Sequence, residues 1–266
     1  MAHLVPIEDA AHRALHPYTA IRERDLVTRD ALFVAEGEVV LRVLAFRSKL
    51  VVRSLLLERR RVDAVSDVLA ALPEEVPAYV VPQELMNGVV GFAIHRGVLA
   101  LGERGPALSP AQLVKGASVL VGLVGLTNHD NVGGIFRNAA AFGASGVLLD
   151  AASCDPLYRK AIRVSSGATL SLPFAHGGTG EELIALLRAS GIECWAMTPS
   201  GAESLAGLSP PQRLALVLGP EGPGLPENVM QDCRRVAIPV AGGMDSLNVA
   251  TAGAIALAHV AARRAG

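Results

Sequence analysis

The sequence predicts an α/β protein, with a C-terminal parallel-sheet domain covered by helices on both faces and a smaller α/β domain before it. Three observations carry that prediction. Strand-like and helix-like segments alternate repeatedly after about residue 117. A shorter alternation fills the first hundred residues. Between the two, residues 102–112 are rich in glycine and proline, which ends regular structure.

In the first part, Phe33-Val34-Ala35 reads as a strand, 38–46 as a helix, 51–57 as a strand, 62–72 as a helix, and 78–81 and 97–101 as strands. Short apolar runs bounded by turn formers suit strands, and apolar positions spaced three to four apart suit helices. Residues 1–30, with Arg22-Glu23-Arg24-Asp25 amid helix formers, read as a short N-terminal helix. The expected division is residues 1–105, a linker at 106–116 and a second domain at 117–266. In that domain 119–126, 146–149, 192–197, 214–218 and 236–238 read as strands, with helices at 132–142, 181–190 and 247–262. These strands are continuously apolar rather than alternating, as in a parallel sheet buried on both faces. Ligands of such sheets bind at the carboxyl ends of the strands.

Composition narrows the function. A chain of 266 residues with 51% hydrophobic and 18% charged residues is ordered, not a disordered linker. Its longest apolar runs fall short of the roughly 18–20 residues of a membrane span. The N-terminus carries no basic region followed by an apolar core, so a cytoplasmic location is expected. Cys154, Cys194 and Cys233 are scattered without metal-ligand spacing, which suits reduced thiols, and no metal is expected. The formal net charge of -1 counts against an indiscriminate nucleic-acid coat. Locally, however, Arg42, Arg47, Lys49, Arg53, Arg59, Arg60 and Arg61 face only Glu58. That cluster is either a phosphate-contacting patch or a solvated face.

Three motifs carry chemistry. The first runs from Asn128 through Asn131, Gly133, Gly134 and Arg137 to Gly143, a strand end, a polar turn and a helix start. Asn131 is suited to cap the helix, and Arg137, further along, can stand beside a site as a fixed planar cation. The second, Gly219-Pro220-Glu221-Gly222-Pro223-Gly224-Leu225, follows a buried strand and offers backbone groups with one carboxylate. It lacks the Gly-Lys-Ser/Thr ending of a phosphate loop, and no Gly-x-Gly-x-x-Gly marks a dinucleotide fold. The third spans Ile238 and Val240 to Ser246-Leu247-Asn248, before an apolar helix rich in small residues. Ser246 is suited to cap that helix; Asn248, inside its first turn, is less easily explained by packing. A capped helix, a tight turn and a second capped helix remain the plain alternatives for each motif alone.

Together, in this order and spacing, the motifs resemble the SpoU, or TrmH-like, RNA ribose 2′-O-methyltransferases of the SPOUT superfamily. The resemblance extends to the basic stretch from Asp155 to Ala168, with Arg159, Lys160 and Arg163, and, in the first domain, to Phe33-Val34-Ala35-Glu36-Gly37 and His95-Arg96-Gly97-Val98-Leu99-Ala100. It implies a ribosomal-protein-like N-terminal RNA-binding domain, a deep C-terminal trefoil knot forming an S-adenosylmethionine pocket, and a homodimer with shared active sites. Carried over residue by residue, Arg137, Glu221, Ser246 and Asn248 become catalytic. Thr198, Gly219, Glu221, Ile238, Val240, Ser246, Leu247 and Asn248 become cofactor-binding. Asn131, Arg137, Arg159, Lys160, Arg163, Arg42, Arg47 and Arg53 become RNA-binding, with ribosomal RNA favoured and transfer RNA open. The chain departs from the family pattern at His129, Asn138 and Ala250, where Pro, Thr and Ser are usual. A non-catalytic RNA-binding protein and a base methylase on the same fold remain alternatives.

Overall fold

The computed structural model describes residues 1–19, 31–90, 96–241 and 245–265, without the side chains of 90 and 265. Its chain contacts divide into two units. The first comprises Met1–Pro106 and Leu157–Ser171, the second Ala107–Pro156 and Leu172–Gly266. The division differs from the contiguous one expected: the basic stretch leaves the C-terminal domain and packs with the N-terminal one.

In the first unit, β1 (His3–Pro6), β2 (Leu32–Glu36), β3 (Val51–Glu58), β4 (Pro77–Val81) and β5 (Val98–Glu103) form a mixed sheet in the order β1-β4-β3-β5-β2. Phe33 pairs with Gly102 across β2 and β5, and a Cβ on Gly102 would lie 2.2 Å from the Phe33 ring. The ring is fully buried because that residue has no side chain. Leu15, Tyr18, Leu56, Met86 and Leu99 complete the core on one side. The N-terminal helix expected over residues 1–30 is corrected: 3–6 form strand β1 and 13–18 a 3-10 turn, while Arg22–Asp25 lies outside the described residues. Four residues pairing through backbone alone show no periodicity to read. Residues 62–72 open with a 3-10 turn at Asp63–Val65 before the helix Ser66–Ala71, and a further 3-10 turn, Arg59–Arg61, precedes them. The helix Arg159–Val164 packs on β2, and Gly167, at φ +85°, brings the chain against Val43.

In the second unit, β6 (Val119–Leu123), β7 (Gly146–Leu149), β8 (Phe174–His176), β9 (Glu193–Met197), β10 (Glu203–Ser204), β11 (Leu214–Leu218) and β12 (Arg234–Ala237) form a sheet ordered β10-β12-β9-β11-β6-β7-β8. Every pairing in it is parallel. The central strand β11 is buried along its whole length, which the unbroken Leu-Ala-Leu-Val-Leu run requires. The helix Val249–Ala265 lies against β11 and against the helix His129–Ala141. Small residues permit that approach: a Cβ on Gly253 would stand 3.0 Å from Leu218, and Ala256 is fully buried. Among the described residues no helix is long and apolar enough to cross a membrane.

Candidate active site

The carboxyl ends of β9, β11 and β12 open onto one cleft of about 290 Å³. Leu218 and Gly219 leave β11, Met197 and Thr198 leave β9, Val236 and Ile238 lie at the end of β12, and the segment before the last helix closes the cleft. Of the residues expected to bind cofactor, Thr198, Gly219, Glu221, Ile238, Val240, Ser246 and Leu247 line it. Met197, Val236 and Asp245 also line it and were missed, although each is next or nearly next in sequence to a residue that was singled out. The Gly219 position is tight: a Cβ there would meet the Leu225 nitrogen at 2.7 Å and the Gly224 carbonyl carbon at 2.9 Å. The loop closes on its own backbone, which only glycine permits.

Beside the cleft three polar side chains from distant segments converge. Asn248 Nδ2 donates to Glu221 Oε1 at 2.6 Å and to Asn131 Oδ1 at 3.0 Å. Asn131 Nδ2 donates to the same Glu221 oxygen at 3.2 Å. Asn131 is 9% exposed, so its amide groups are satisfied by these partners rather than by water. Both expected caps are corrected. Asn128, not Asn131, caps the helix His129–Ala141, its side chain accepting from the Asp130 N–H. Asn248, not Ser246, caps the last helix by accepting from the N–H groups of Ala250 and Thr251 at 2.9 and 3.1 Å. Several polar residues before a helix are chemically able to cap it, and only the backbone path selects one. Two departures from the family pattern meet here: Asn138 Nδ2 donates to the Ala250 carbonyl at 3.0 Å.

The loop entering the first of these helices is fixed from below. Buried Asp150 accepts from the Gly125 N–H and from Ser153, whose hydroxyl in turn accepts from the Leu126 N–H. Neither Asp150 nor Ser153 was singled out from sequence.

Arg137 is not brought to the cleft of its own chain. It is exposed and has no hydrogen-bond or ion-pair partner among the described residues. Apart from Asn131, which stands beside the cleft, the other expected RNA contacts lie in the first unit. Arg159 is half-buried, with Nη1 3.7 Å from Glu36 Oε2, while Lys160 and Arg163 are exposed. Arg42 is held by Asp67 at 2.9 Å and Arg53 by Glu103 at 2.7 Å. The Arg42 guanidinium keeps the Asp67 carboxyl below the usual carboxylate range. Arg47 is exposed without such a partner among the described residues.

An uncharacterized tRNA/rRNA methyltransferase of Mycobacterium tuberculosis is 41% identical over 242 residues, 88% of this chain and 82% of that protein. The solved structure of an AdoMet-bound rRNA methyltransferase from Sinorhizobium meliloti superposes with a TM-score of 0.82 at 22% identity, covering 98% of each chain. That of an RNA 2′-O ribose methyltransferase superposes with a TM-score of 0.80 at 24% identity, covering 98% of this chain and all of the other. The two superpositions establish likeness of fold. Residues 118–258, which hold the cleft and all three convergent side chains, match the SpoU rRNA Methylase family, and with the identity to the mycobacterial protein this makes the chain a member of that family.

Proposed function

We propose that this protein transfers a methyl group from S-adenosylmethionine to a ribose 2′-hydroxyl of RNA in the cytoplasm, acting as a homodimer with a knotted C-terminal domain. Ribosomal RNA is the favoured substrate and transfer RNA the second. The observation that carries the reading is the Asn131–Glu221–Asn248 triangle at the edge of the cleft.

The cleft suits the cofactor by the chemistry of its lining. Leu218, Ile238 and Leu247 supply apolar walls for a purine ring, while Thr198, Ser246 and Glu221 supply hydroxyl and carboxylate groups for ribose and amino-acid ends. When bound, S-adenosylmethionine supplies an electrophilic methyl on a sulfonium, so the reaction needs only an oxygen nucleophile aimed in line. The protein's share is then orientation and proton handling. The Asn248 amide is held at both ends, by Glu221 and by its cap, and so offers a fixed polar edge. The planar guanidinium of Arg137 stabilises oxygen as it gains negative charge. Its absence from the cleft of its own chain supports an active site completed by a second subunit, as the family resemblance implies.

Incubation with radiolabelled S-adenosylmethionine and total RNA from cells lacking the gene tests the reading. A 2′-O-methyl group blocks alkaline cleavage at its own linkage, so label is expected in alkali-resistant dinucleotides. Label in mononucleotides identifies base methylation instead. Cofactor binding without incorporation identifies a non-catalytic RNA-binding protein.

A further inference from the structure

Seven cations lie between Arg42 and Arg61, and no acidic residue lies between Glu38 and Glu58. Most of that charge is spent inside the unit. Arg42 is paired with Asp67 and Glu38, Arg53 with Glu103, Arg59 with Glu8, Arg60 with Glu58 and Arg61 with Glu38. Arg47 and Lys49 are exposed and have no such partner among the described residues. They follow the end of a helix at which Phe46 is 52% exposed, the most of any phenylalanine among the described residues. Val51, at the start of the next strand, is also exposed, at 55%.

The turn that presents these groups is tied down. The N–H groups of Arg47 and Ser48 both donate to the Val43 carbonyl, at 2.9 and 3.0 Å. The Ser48 hydroxyl donates to the Leu170 carbonyl at 2.7 Å and accepts from the Leu50 N–H at 3.1 Å. Leu170 lies in the segment Leu157–Ser171 of the same unit, which also carries Lys160 and Arg163. An exposed aromatic ring followed within three residues by two uncommitted cations has no packing purpose. It matches a single-stranded nucleic acid, whose bases stack on aromatic faces and whose phosphates take cations on either side.

We propose that the turn at residues 46–50 is an RNA contact in which Phe46 stacks on an unpaired base and Arg47 and Lys49 hold the adjoining phosphates. This rests on the RNA substrate proposed above. It also divides the basic cluster: the paired arginines build the unit, and the two unpaired cations meet the ligand.

The test is fluorescence anisotropy of the full-length protein with a labelled RNA hairpin carrying an unpaired loop, and with a fully paired duplex of the same length. Phe46→Ala is expected to weaken loop binding about tenfold and leave duplex binding unchanged. Phe46→Trp is expected to retain loop binding. Arg47→Gln and Lys49→Gln should each reduce the salt slope by about one phosphate contact. The thermal midpoint of Phe46→Ala should match that of the unaltered protein, since the ring is exposed. If the unaltered protein binds the loop and Phe46→Ala binds it equally well, the turn is not the contact and the RNA reading stands. If the unaltered protein binds neither RNA, the RNA reading fails and this assignment with it.

Discussion

Asn248 Nδ2 donates to Glu221 Oε1 at 2.6 Å across 27 residues of sequence, while the oxygen of the same amide caps the last helix. One side chain therefore both caps a helix and holds Glu221 beside the cleft, and the two contacts can be separated. Asn248→Ala removes both, and should cost about 1 kcal/mol of stability together with most methyl transfer. Asn248→Ser keeps a capping oxygen but is too short to hold Glu221. It should recover the thermal midpoint and leave methyl transfer low. Recovery of both by serine would reduce Asn248 to a cap.

Arg137 should behave in the opposite way. Because it is exposed and has no hydrogen-bond or ion-pair partner among the described residues, Arg137→Ala should leave stability within about 0.5 kcal/mol of the unaltered protein. Methyl transfer at saturating RNA should fall about 10²- to 10³-fold. Mixing Arg137→Ala with Asn248→Ala subunits, each inactive alone, should restore partial activity if active sites are shared. No restoration after verified subunit exchange would mean that each chain is self-sufficient.

Gly219→Ala forces a Cβ against the backbone of Gly224 and Leu225, where nothing flexible is able to yield. The loop must shift, and with it Glu221 and the cleft wall. Cofactor affinity, measured by calorimetry, should drop at least about tenfold, an order of effect set by overpacking costs of 1–3 kcal/mol. Gly122→Ala is the control: its Cβ would meet Val217 at an ordinary 3.7 Å, so cofactor affinity should hold.

The edge of the large sheet carries an acid-sensitive clasp. Arg234 on β12 donates to both carboxylate oxygens of Glu203 on β10, at 2.6 and 2.5 Å, and its guanidinium stands 5.9 Å from the ring centroid of Trp195. The hydrogen bonds from Arg234 lower the Glu203 carboxyl below its ordinary value of 4.5. A carboxyl so lowered contributes fully above its unfolded value and loses that contribution as pH falls through the folded one. Trp195 is the sole tryptophan of the chain and reports on the clasp. Its emission should stay constant from neutral pH to about pH 5 and change below the ordinary carboxylate range. Arg234→Met should abolish that step. A step at neutral pH would point to another group.

Local pattern made much of the second unit legible. The strands at 146–149 and 214–218 occupy the bounds read from sequence, because unbroken apolar runs between turn formers leave little choice. Thr198, Gly219 and Ile238 line the cleft because residues at the carboxyl ends of parallel strands must gather on one edge. What depended on distant partners stayed hidden. The Asn131–Asn248 bond spans 117 residues and the Asn131–Glu221 bond 90, and neither leaves a periodic trace. The basic cluster looked uniform because the acids that neutralise Arg53 and Arg59, namely Glu103 and Glu8, lie some 50 residues away on either side. Strands β1, β8 and β10 were missed because they are two to four residues long.

The course of the chain between its two units has a practical consequence for anyone who would take the protein apart. It passes from the first to the second near residue 106, returns at 157 and leaves again at 171. A cut at the glycine- and proline-rich linker therefore does not yield two self-sufficient pieces. An N-terminal fragment ending at Pro106 would lack the Leu170 carbonyl that anchors Ser48, and would leave bare the surface around Val43 that Gly167 covers. Grafting a different N-terminal domain onto this catalytic half requires three compatible junctions, so the two halves are bound to change together rather than be exchanged as modules.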